Sequence, residues 1–499
     1  MEAPNRLAPA SPAARPGDAL PLRSANRQIL RALMALTSAA ILARATAMGT
    51  VIVVTSQFGE GAAMDAYFIA AAVPGLVASL IDSAIEVSVV PAYARMRGRG
   101  DSGQASKLFS TLFNLTLMAG TALTLMMLVF RHQVILISAP AADSYRMGVA
   151  VTLAPVIFPA LVLSMALALV ESVLNAEGQF GWPAYAGLLV PLSTGIGVLM
   201  AGTSLGVVVL GIGTLIGLCL QGCAFVVRMR RAKIVYRPIL DLHNPALGPV
   251  LTAAWPALIG SCIAMASPLI DQMFASALSA GNISALTYAL KLLNVPLGVI
   301  FVAVGRAMLP HLSRQVGVGD LPGFKATLRL YIWVVSLGTI LVTALLFALA
   351  HPLVHILFER GAFLADDTDR TATTFRGFVV GLPLMAMVFL LVRALSALAK
   401  IRVLLYANTF FLIANAIFDY FLVRVWQSLG IALATSMGYV FIVAILLVSL
   451  RRVIGSLELL TPPPELLHVL HSARSRHDAV LWRTRKTSAS AWQRGDSGE

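Results

Sequence analysis

Apolar segments long enough to cross a lipid bilayer recur along almost the whole chain. A transmembrane helix needs about 20 predominantly apolar residues, and only helices or closed barrels satisfy their backbone hydrogen bonds in lipid. The segments are far longer than the roughly 10-residue alternating strands of a membrane barrel. The sequence therefore predicts an all-α, polytopic membrane protein of about twelve transmembrane helices. The predicted spans are 33–56, 64–92, 107–130, 148–174, 184–202, 205–228, 248–279, 283–310, 327–350, 372–398, 403–424 and 428–450.

The charged residues are few and mostly basic. They make up 12% of the 499 residues, with a formal net charge of +14, whereas soluble domains carry roughly 25% charged residues. The basic residues cluster in short loops such as 95–107 and 228–237, while the loop at 59–64 has none. An excess of Lys and Arg in some loops is typical of the cytoplasmic side of a membrane protein. We therefore attribute the positive net charge to membrane topology rather than to nucleic-acid binding. We predict that both termini are cytoplasmic.

A short pattern occurs twice. Gly59 and Gly281 each precede a proline by the same distance, at Pro74 and Pro296, and Pro91–Arg95 repeats as Pro310–Arg314. Each copy opens the second helix of a six-span half, which predicts two parallel repeats of the kind that transporters use around a central cavity. The predicted organisation is a disordered basic tail (1–27), a first six-helix bundle (28–230), a cytoplasmic linker (231–247), a second six-helix bundle (248–454) and a basic cytoplasmic tail (455–499).

Two basic residues lie deep within predicted spans, away from the ends. Arg44 is in the middle of the first span and Lys291 is about two turns into the eighth, and neither has a carboxylate one turn away on its own helix. Charges at this depth cost at least ~2.5–3.5 kcal/mol and usually face a cavity or a partner. An unpaired cationic cavity wall suits an anionic substrate such as a pyrophosphate. The alternative is an interhelical ion pair with Glu171 or Asp271.

Acidic residues also lie within the spans. Asp82 and Glu86 are four residues apart and share a helix face. Together with Glu171 they are candidates for gating or titration, and the alternative for Asp82 and Glu86 is that they approach the cytoplasmic end of their helix.

Hard oxygen ligands are predicted to converge in the second half. Asn415 and Asp419 share a face of the eleventh span, Asp271 is in the seventh, and Thr435 is one turn beyond Ile431 in the twelfth. Oxygen ligands of this kind suit a small cation and not a soft metal. The alternative is a hydrogen-bonded cluster that joins three helices.

No motif of an enzyme is recognisable. The sequence has no nucleotide-binding loop, no zinc-ligand spacing and no soluble domain to hold a catalytic triad. We therefore expect a transport protein without a cofactor, apart from a possible Na⁺ as the coupling ion.

Several stretches resemble the MurJ/MviN family of the multidrug and oligosaccharide-lipid exporter superfamily. The resemblance covers about residues 30 to 452. It is carried by DAYFIAAAVPGLV (65–77), ESVLNAEGQFGWPAYAGLLVPLS (171–193), SALTYALKLLNVPLGVIFVAVGRAMLPHLSR (284–314), FERGAF (358–363) and LVRALSALAK (391–400).

The resemblance implies two bundles around a V-shaped cavity in the bacterial inner membrane. It also implies a flippase that moves lipid II, an undecaprenyl-pyrophosphate glycan, from the cytoplasmic to the periplasmic leaflet, with cell-wall synthesis proteins as possible partners. Arg44 matches a cavity-lining arginine, and Lys291 replaces an arginine that holds the pyrophosphate. Asp65 matches a family aspartate at the periplasmic start of the second helix and is taken as a substrate-binding candidate.

The resemblance also implies a sodium site. Asp271, Asn415, Asp419 and Thr435, with the Ile431 carbonyl, match the spacing of this site in some members.

The chain departs from the family pattern at several positions. Thr50 and Val51 stand where the family usually has an arginine and an aspartate, and Ala78 stands where it has a basic residue. Fewer cations leave room for another substrate. The alternatives are a flippase for an exopolysaccharide or O-antigen precursor and a cation-coupled drug exporter.

Overall fold

The computed structural model describes residues 22–179 and 181–457 together with Thr461, and in this part of the chain every regular element is a helix. The first helix begins at Leu22, within the predicted N-terminal tail. Residues 1–21 and most of the predicted C-terminal tail lie outside the described residues. The helices are α1 (Leu22–Phe58), α2 (Ala62–Gly98), α3 (Ser102–Val129), α4 (Arg131–Ser138), α5 (Ser144–Ile157), α6 (Ala160–Ala176), α7 (Gly181–Ala186), α8 (Leu189–Leu205), α9 (Val208–Arg231), α10 (Leu247–Met265), α11 (Ser267–Ala275), α12 (Asn282–Gly317), α13 (Leu321–Ala348), α14 (Ala350–Phe358), α15 (Ala365–Val380), α16 (Leu382–Ala397) and α17 (Ile401–Ile454).

The all-helical membrane fold is confirmed. In the described residues, eight helices are long and apolar enough to cross a membrane, or up to ten spans if each of two bent pairs counts as one. The bends are 44° between α5 and α6 and 41° between α15 and α16, where Pro159 and Pro383 interrupt the backbone hydrogen bonding. The predicted total of twelve stays a prediction.

The last helix, α17, is broken in the middle. Gln427 has φ 50° and ψ −129°, which lies outside the helical region. The segments on either side, 401–426 and 428–454, are each long enough to cross roughly 30 Å of hydrocarbon.

The repeated sequence pattern corresponds to two matching helices. α2 has 37 residues and α12 has 36, and each contains two prolines. Gly59 and Gly281, which precede them, both have positive φ, which glycine adopts without steric cost. We refer to the end of the molecule with Gly59 and Gly281 as the glycine end, and to the end with Arg95 and Arg314 as the basic end.

The buried apolar side chains show how the two halves meet. The largest cluster contains Met64, Phe158, Tyr288 and Phe358 and joins both halves at the glycine end. Toward the basic end there are two separate clusters, one in each half. The halves therefore pack against each other at the glycine end and have separate cores at the basic end.

Helix α10 links the two halves. Leu247 and Val250, at its start, are buried in the core of the first half, and its Ser261 is hydrogen-bonded to Ser83 of α2 at 2.8 Å. The predicted boundary at residue 248 therefore falls where the chain still packs on the first half, and α11 continues into the second half.

Candidate functional site

Lys291 faces the other half of the molecule. It lies on α12, its side chain is solvent-accessible, and its Nζ is 5.3 Å from the ring centroid of Phe68 on α2. The ring face attracts a cation at this distance. Because Phe68 belongs to the first half, Lys291 lies between the halves rather than on the outer surface of its own half.

Arg44 reaches the same face of α12. A Cβ added at Gly298 would overlap the Arg44 guanidinium, so the side chain of Arg44 lies directly on the backbone of α12. Gly298 is seven residues after Lys291, which is two helical turns and roughly 10 Å along the same face. The structure thus places the two predicted cations, one from each half, along one face of α12.

Neither cation has an acidic partner among the described residues. Arg44 and Lys291 take part in none of their ion pairs. The two carboxylates considered as alternative partners lie elsewhere: Asp271 accepts a hydrogen bond from Thr435, and Glu171 lines a separate cavity. Arg44 and Lys291 therefore present positive charge to the space between the halves.

Asp65 lies in a contact between the halves and not in that space. Its side chain is fully buried. Oδ1 accepts hydrogen bonds from the backbone N–H and the hydroxyl of Ser284, at 2.8 and 2.6 Å, and Oδ2 accepts one from the Gly281 N–H at 2.8 Å. The carboxylate therefore caps the first turn of α12, where unpaired N–H groups and the helix dipole favour an anion.

Arg146 completes this network. Its guanidinium lies 3.4 Å from Asp65 Oδ2 and donates to the carbonyls of Ser276 and Leu278 in the second half. Asp143, in the loop before α5, accepts hydrogen bonds from the backbone N–H and the guanidinium of Arg146. These bonds lower the pKa of Asp143.

A second contact closes the glycine end. Glu60, in the loop between α1 and α2, accepts hydrogen bonds from the Thr371 hydroxyl and from Arg370 of α15. Its side chain is fully buried. Burial raises the pKa of Glu60 well above its ordinary value, and the hydrogen bond from Thr371 offsets only part of this shift. Glu60 and Asp65 thus both join the first half to the second.

The predicted oxygen cluster is assembled. Asp271, Asn415, Asp419, Ile431 and Thr435 are all buried. The Thr435 hydroxyl is 3.2 Å from both Asp271 Oδ2 and the Ile431 carbonyl, and Asn415 donates to Asp419 Oδ2 at 3.1 Å.

Two oxygens of this cluster have no donor. Oδ1 of Asp271 and Oδ1 of Asp419 are buried without a hydrogen-bond partner among the described residues, and the two carboxyl groups are close enough to interact. Two adjacent carboxylates in a low dielectric repel each other, so either one of them takes up a proton or a cation lies between them. The described residues contain no group of three or more His, Cys, Asp or Glu side chains placed for a metal. The donors of this cluster are all oxygens, which are hard ligands of the kind that suits a small cation.

Two of the three acidic candidates of the first half, Asp82 and Glu171, line a different cavity, while Glu86 is exposed outside it. Asp82, Glu171, Ser79 and Gln221 line a polar cavity of 240 Å³ between α2, α6 and α9. Ala78, which replaces the family's basic residue, lies on the same wall. The first half therefore has an acidic wall at the level where the family pattern has a positive charge.

Three residues that contribute to these sites were not identified in the sequence analysis. Ser267 donates to Asn415 Oδ1 at 2.5 Å, and its position four residues before Asp271 on the seventh span is a signal that could have revealed it. Arg146 and Gly298 act through partners far away in the sequence, and no local pattern identifies them.

The fold is shared with solved membrane transporters. An inward-facing multidrug resistance transporter of the MATE family, in the MOP superfamily, aligns with a TM-score of 0.70 at 15% identity over 85% of this chain and 99% of that chain. A lipid II flippase MurJ in an inward closed conformation aligns with a TM-score of 0.71 at 23% identity over 83% of this chain and 87% of that chain. Two matching sets of long apolar helices define a multi-pass, all-helical membrane protein.

The sequence comparison identifies the family. The model of the lipid II flippase MurJ family matches residues 54–472, so the chain belongs to this family. A probable lipid II flippase MurJ of Bdellovibrio bacteriovorus is 27% identical over 73% of this chain and 71% of its own length. The lipid II flippase MurJ of Burkholderia cenocepacia is 24% identical over 85% and 84%.

Proposed function

We propose that this chain flips lipid II, a polyprenyl-diphosphate glycan, from the cytoplasmic to the periplasmic leaflet of the bacterial inner membrane. Both termini and the basic end are cytoplasmic, and the glycine end is periplasmic, as the distribution of basic loops predicts. The lipid tail stays in the bilayer while the headgroup passes between the halves.

The position of Arg44 and Lys291 carries this proposal. Both face the space between the halves without an acidic partner among the described residues, and they are about two helical turns apart on one face of α12. A diphosphate offers two adjacent anionic groups to such a pair. Lysine binds a phosphate as a point charge, while arginine adds a planar, bidentate contact.

Complementation tests the two cations. In a strain depleted of its own lipid II flippase, we expect Arg44→Ala and Lys291→Ala to abolish growth and Lys291→Arg to restore it, because the arginine keeps the charge. Arg376→Ala is the matched control, since the Arg376 guanidinium lies against the Phe347 ring of α13, near the glycine end. Normal growth of both alanine variants at normal protein levels would show that these residues do not hold the substrate.

The identity of the glycan is a separate question. Because Thr50, Val51 and Ala78 replace charged residues of the family pattern, an exopolysaccharide or O-antigen precursor is the second candidate. Native mass spectrometry of the purified protein distinguishes the two, since lipid II and an exopolysaccharide precursor differ in headgroup mass. Co-purification of the second lipid, with no lipid II, would replace the first proposal.

Closure at the glycine end supports transport by alternating access. The Asp65 and Glu60 contacts and the shared apolar core hold the halves together there, whereas the halves have separate cores at the basic end. Asp65 would reach a substrate only after these contacts separate. We therefore propose that the first role of Asp65 is to hold the two halves together in the closed state.

Energy coupling is proposed at the oxygen cluster. Na⁺ bound by Asp271, Asn415, Asp419, Thr435 and the Ile431 carbonyl would offset one of the two negative charges of the facing carboxyl groups and hold α11 against both segments of α17. The membrane potential is the alternative driving force, at ~2.3 kcal/mol per charge and 100 mV. Asp82, Glu86 and Glu171 are proposed to gate the first half, because their negative charges are close enough to act on one another.

A further inference from the structure

A groove on the first half is separate from the sites described above. It has a volume of 1140 Å³ and lies between α3 and α9, with α6 as its floor. Its walls are mainly apolar and include Leu117, Leu163 and Val226. Leu167 and Leu218 belong both to this groove and to the acidic cavity and separate the two. The groove is therefore distinct from the acidic cavity and adjoins it through these two residues.

The basic end of the groove carries two cations. Arg230 and Lys233 line it there, both are exposed, and neither takes part in an ion pair of the described residues. Arg228, two residues before Arg230 on α9, instead donates a hydrogen bond to the Gln179 side chain at 2.6 Å. Arg230 and Lys233 are therefore free to hold an anionic group at the mouth of an apolar groove.

The loop after α9 fixes the shape of this end. It crosses to α3, where the Tyr236 hydroxyl donates to Asn114 at 2.8 Å and the Arg237 N–H donates to Ser110 at 2.9 Å. Asn114 also donates to the Ile239 carbonyl at 3.0 Å. Tyr236 packs edge-on against Phe113, with ring centroids 5.4 Å apart. The loop thus closes the basic end of the groove and holds Lys233 in place.

The length of the groove matches one leaflet. Along α9 it extends from Leu218 to Arg230, which is roughly 18 Å of helix. Half of the hydrocarbon core of a bilayer is about 15 Å. A ligand with its charge at Arg230 would therefore have its apolar part along the walls down to the middle of the membrane.

We propose that this groove binds one anionic phospholipid of the leaflet at the basic end. The phosphate lies between Arg230 and Lys233, and the acyl chains lie on the walls formed by α3, α6 and α9. Basic pockets between transmembrane helices are known to select anionic headgroups. The inference does not depend on the proposed substrate, because the groove lies apart from Arg44 and Lys291.

The three cysteines of the chain allow a site-specific test. Cys219 and Cys223 line the groove, while Cys262 lies on α10, and all three are exposed. In the full-length protein in mild detergent, added phosphatidylglycerol should slow alkylation of Cys219 and Cys223 by N-ethylmaleimide without affecting Cys262. Phosphatidylcholine should protect far less. Peptide mass spectrometry measures each cysteine, and native mass spectrometry counts the bound lipid.

Variants separate charge from shape. Arg230→Gln with Lys233→Asn should weaken phosphatidylglycerol binding on the order of 30-fold, and asparagine tolerates the positive φ at Lys233. Cys223→Trp should fill the groove and exclude the lipid. Arg99→Gln with Arg231→Gln removes the same charge outside the groove and should leave binding unchanged.

Two outcomes would overturn the inference. One is equal protection by phosphatidylcholine, which would mean that the groove does not select an anionic headgroup. The other is displacement of phosphatidylglycerol by undecaprenyl phosphate at equal concentration, which would make the groove a site for the tail of the substrate. If Cys223→Trp does not fold, the paired charge variants still decide between these results.

Discussion

At the residue scale, the position of Arg44 depends on the missing side chain at Gly298. The guanidinium occupies the space that a Cβ would take on α12. An arginine side chain is long and flexible, so it can move away from an added methyl group at little cost in stability. The same move would take the charge away from the face that also carries Lys291.

We therefore predict that Gly298→Ala reduces flipping while the protein stays folded. The charge is unchanged, but the guanidinium is displaced from α12. Flipping in proteoliposomes and thermal unfolding measure the two effects. Gly75→Ala on α2 is the matched control, because nothing lies within 4 Å of a Cβ there. Equal activities of the two variants would contradict the role given to Gly298.

The unpartnered oxygens of Asp271 and Asp419 lead to a prediction about sodium. NaCl should raise the melting temperature of the protein relative to choline chloride, because a ligand that binds only the folded state stabilises it, by about 2.7 kcal/mol at 100 times its dissociation constant. Asp419→Asn should abolish this difference. Asp369→Asn, an exposed aspartate of α15, should leave it intact. A sodium effect that survives Asp419→Asn would place the ion elsewhere.

At the scale of the element, the break in α17 depends on two residues. Gln427 has positive φ, which is unfavourable for a residue with a side chain. Gly430 has no room for one, because a Cβ there would overlap the backbone carbonyl of Leu422. The break directs 428–454 back along 401–426, so that Thr435 and Asn415 reach the same cluster.

We expect opposite effects of substitution at these two positions. Gln427→Gly should be neutral or stabilise the protein by up to about 1 kcal/mol, because the strain at positive φ is relieved. Gly430→Ala should lower the melting temperature, since the backbone of Leu422 must move. Thermal unfolding in detergent measures both. A stable Gly430→Ala variant would show that the break tolerates a side chain.

Short-range patterns predicted the elements well. The glycine and proline spacing identified α2 and α12 as matching helices, and four-residue spacing placed Asn415 with Asp419 and Thr435 with Ile431. In each case the deciding residues are one helical turn apart or occur at repeated intervals. The break at Gln427 was predicted only as a gap between spans, because its conformation is imposed by packing and not by a turn residue.

Contacts between the halves could not be predicted in this way. Asp65 binds Gly281 and Ser284, more than 200 residues further along the chain, and Glu60 binds Thr371. Their partners are determined by how the two halves meet. The resemblance to the family made Asp65 a substrate-binding candidate, and only the three-dimensional arrangement shows that its oxygens are already in use.

At the scale of the whole molecule, closure of the glycine end should depend on pH through Glu60. Its carboxyl group is buried when the halves meet, near Asp367, Arg370, Asp65 and Tyr288. Burial raises its pKa in the closed state above the ordinary 4.5. The closed state therefore favours the protonated form.

The sign of the effect follows from linkage. Below pH 4.5, Glu60 is protonated in both states and closure keeps its full stability. As the pH rises through the raised pKa of the closed state, that contribution is lost, so we predict that the glycine end opens more often. Spin labels at Tyr145→Cys and Leu364→Cys, in a background without the native cysteines, report the distance between the halves. In Glu60→Gln, which cannot titrate, the dependence on pH should disappear.

The capping of α12 by Asp65 has a consequence for the order of events. The carboxylate belongs to the first half, and the amides that it caps belong to the helix that carries Lys291. Separating the halves at this end leaves the N–H groups of Gly281 and Ser284 without their acceptor, and a helix start of this kind attracts anions. The start of α12 is thus available to bind an anion only once the glycine end has opened, which is when a phosphorylated headgroup would leave the protein.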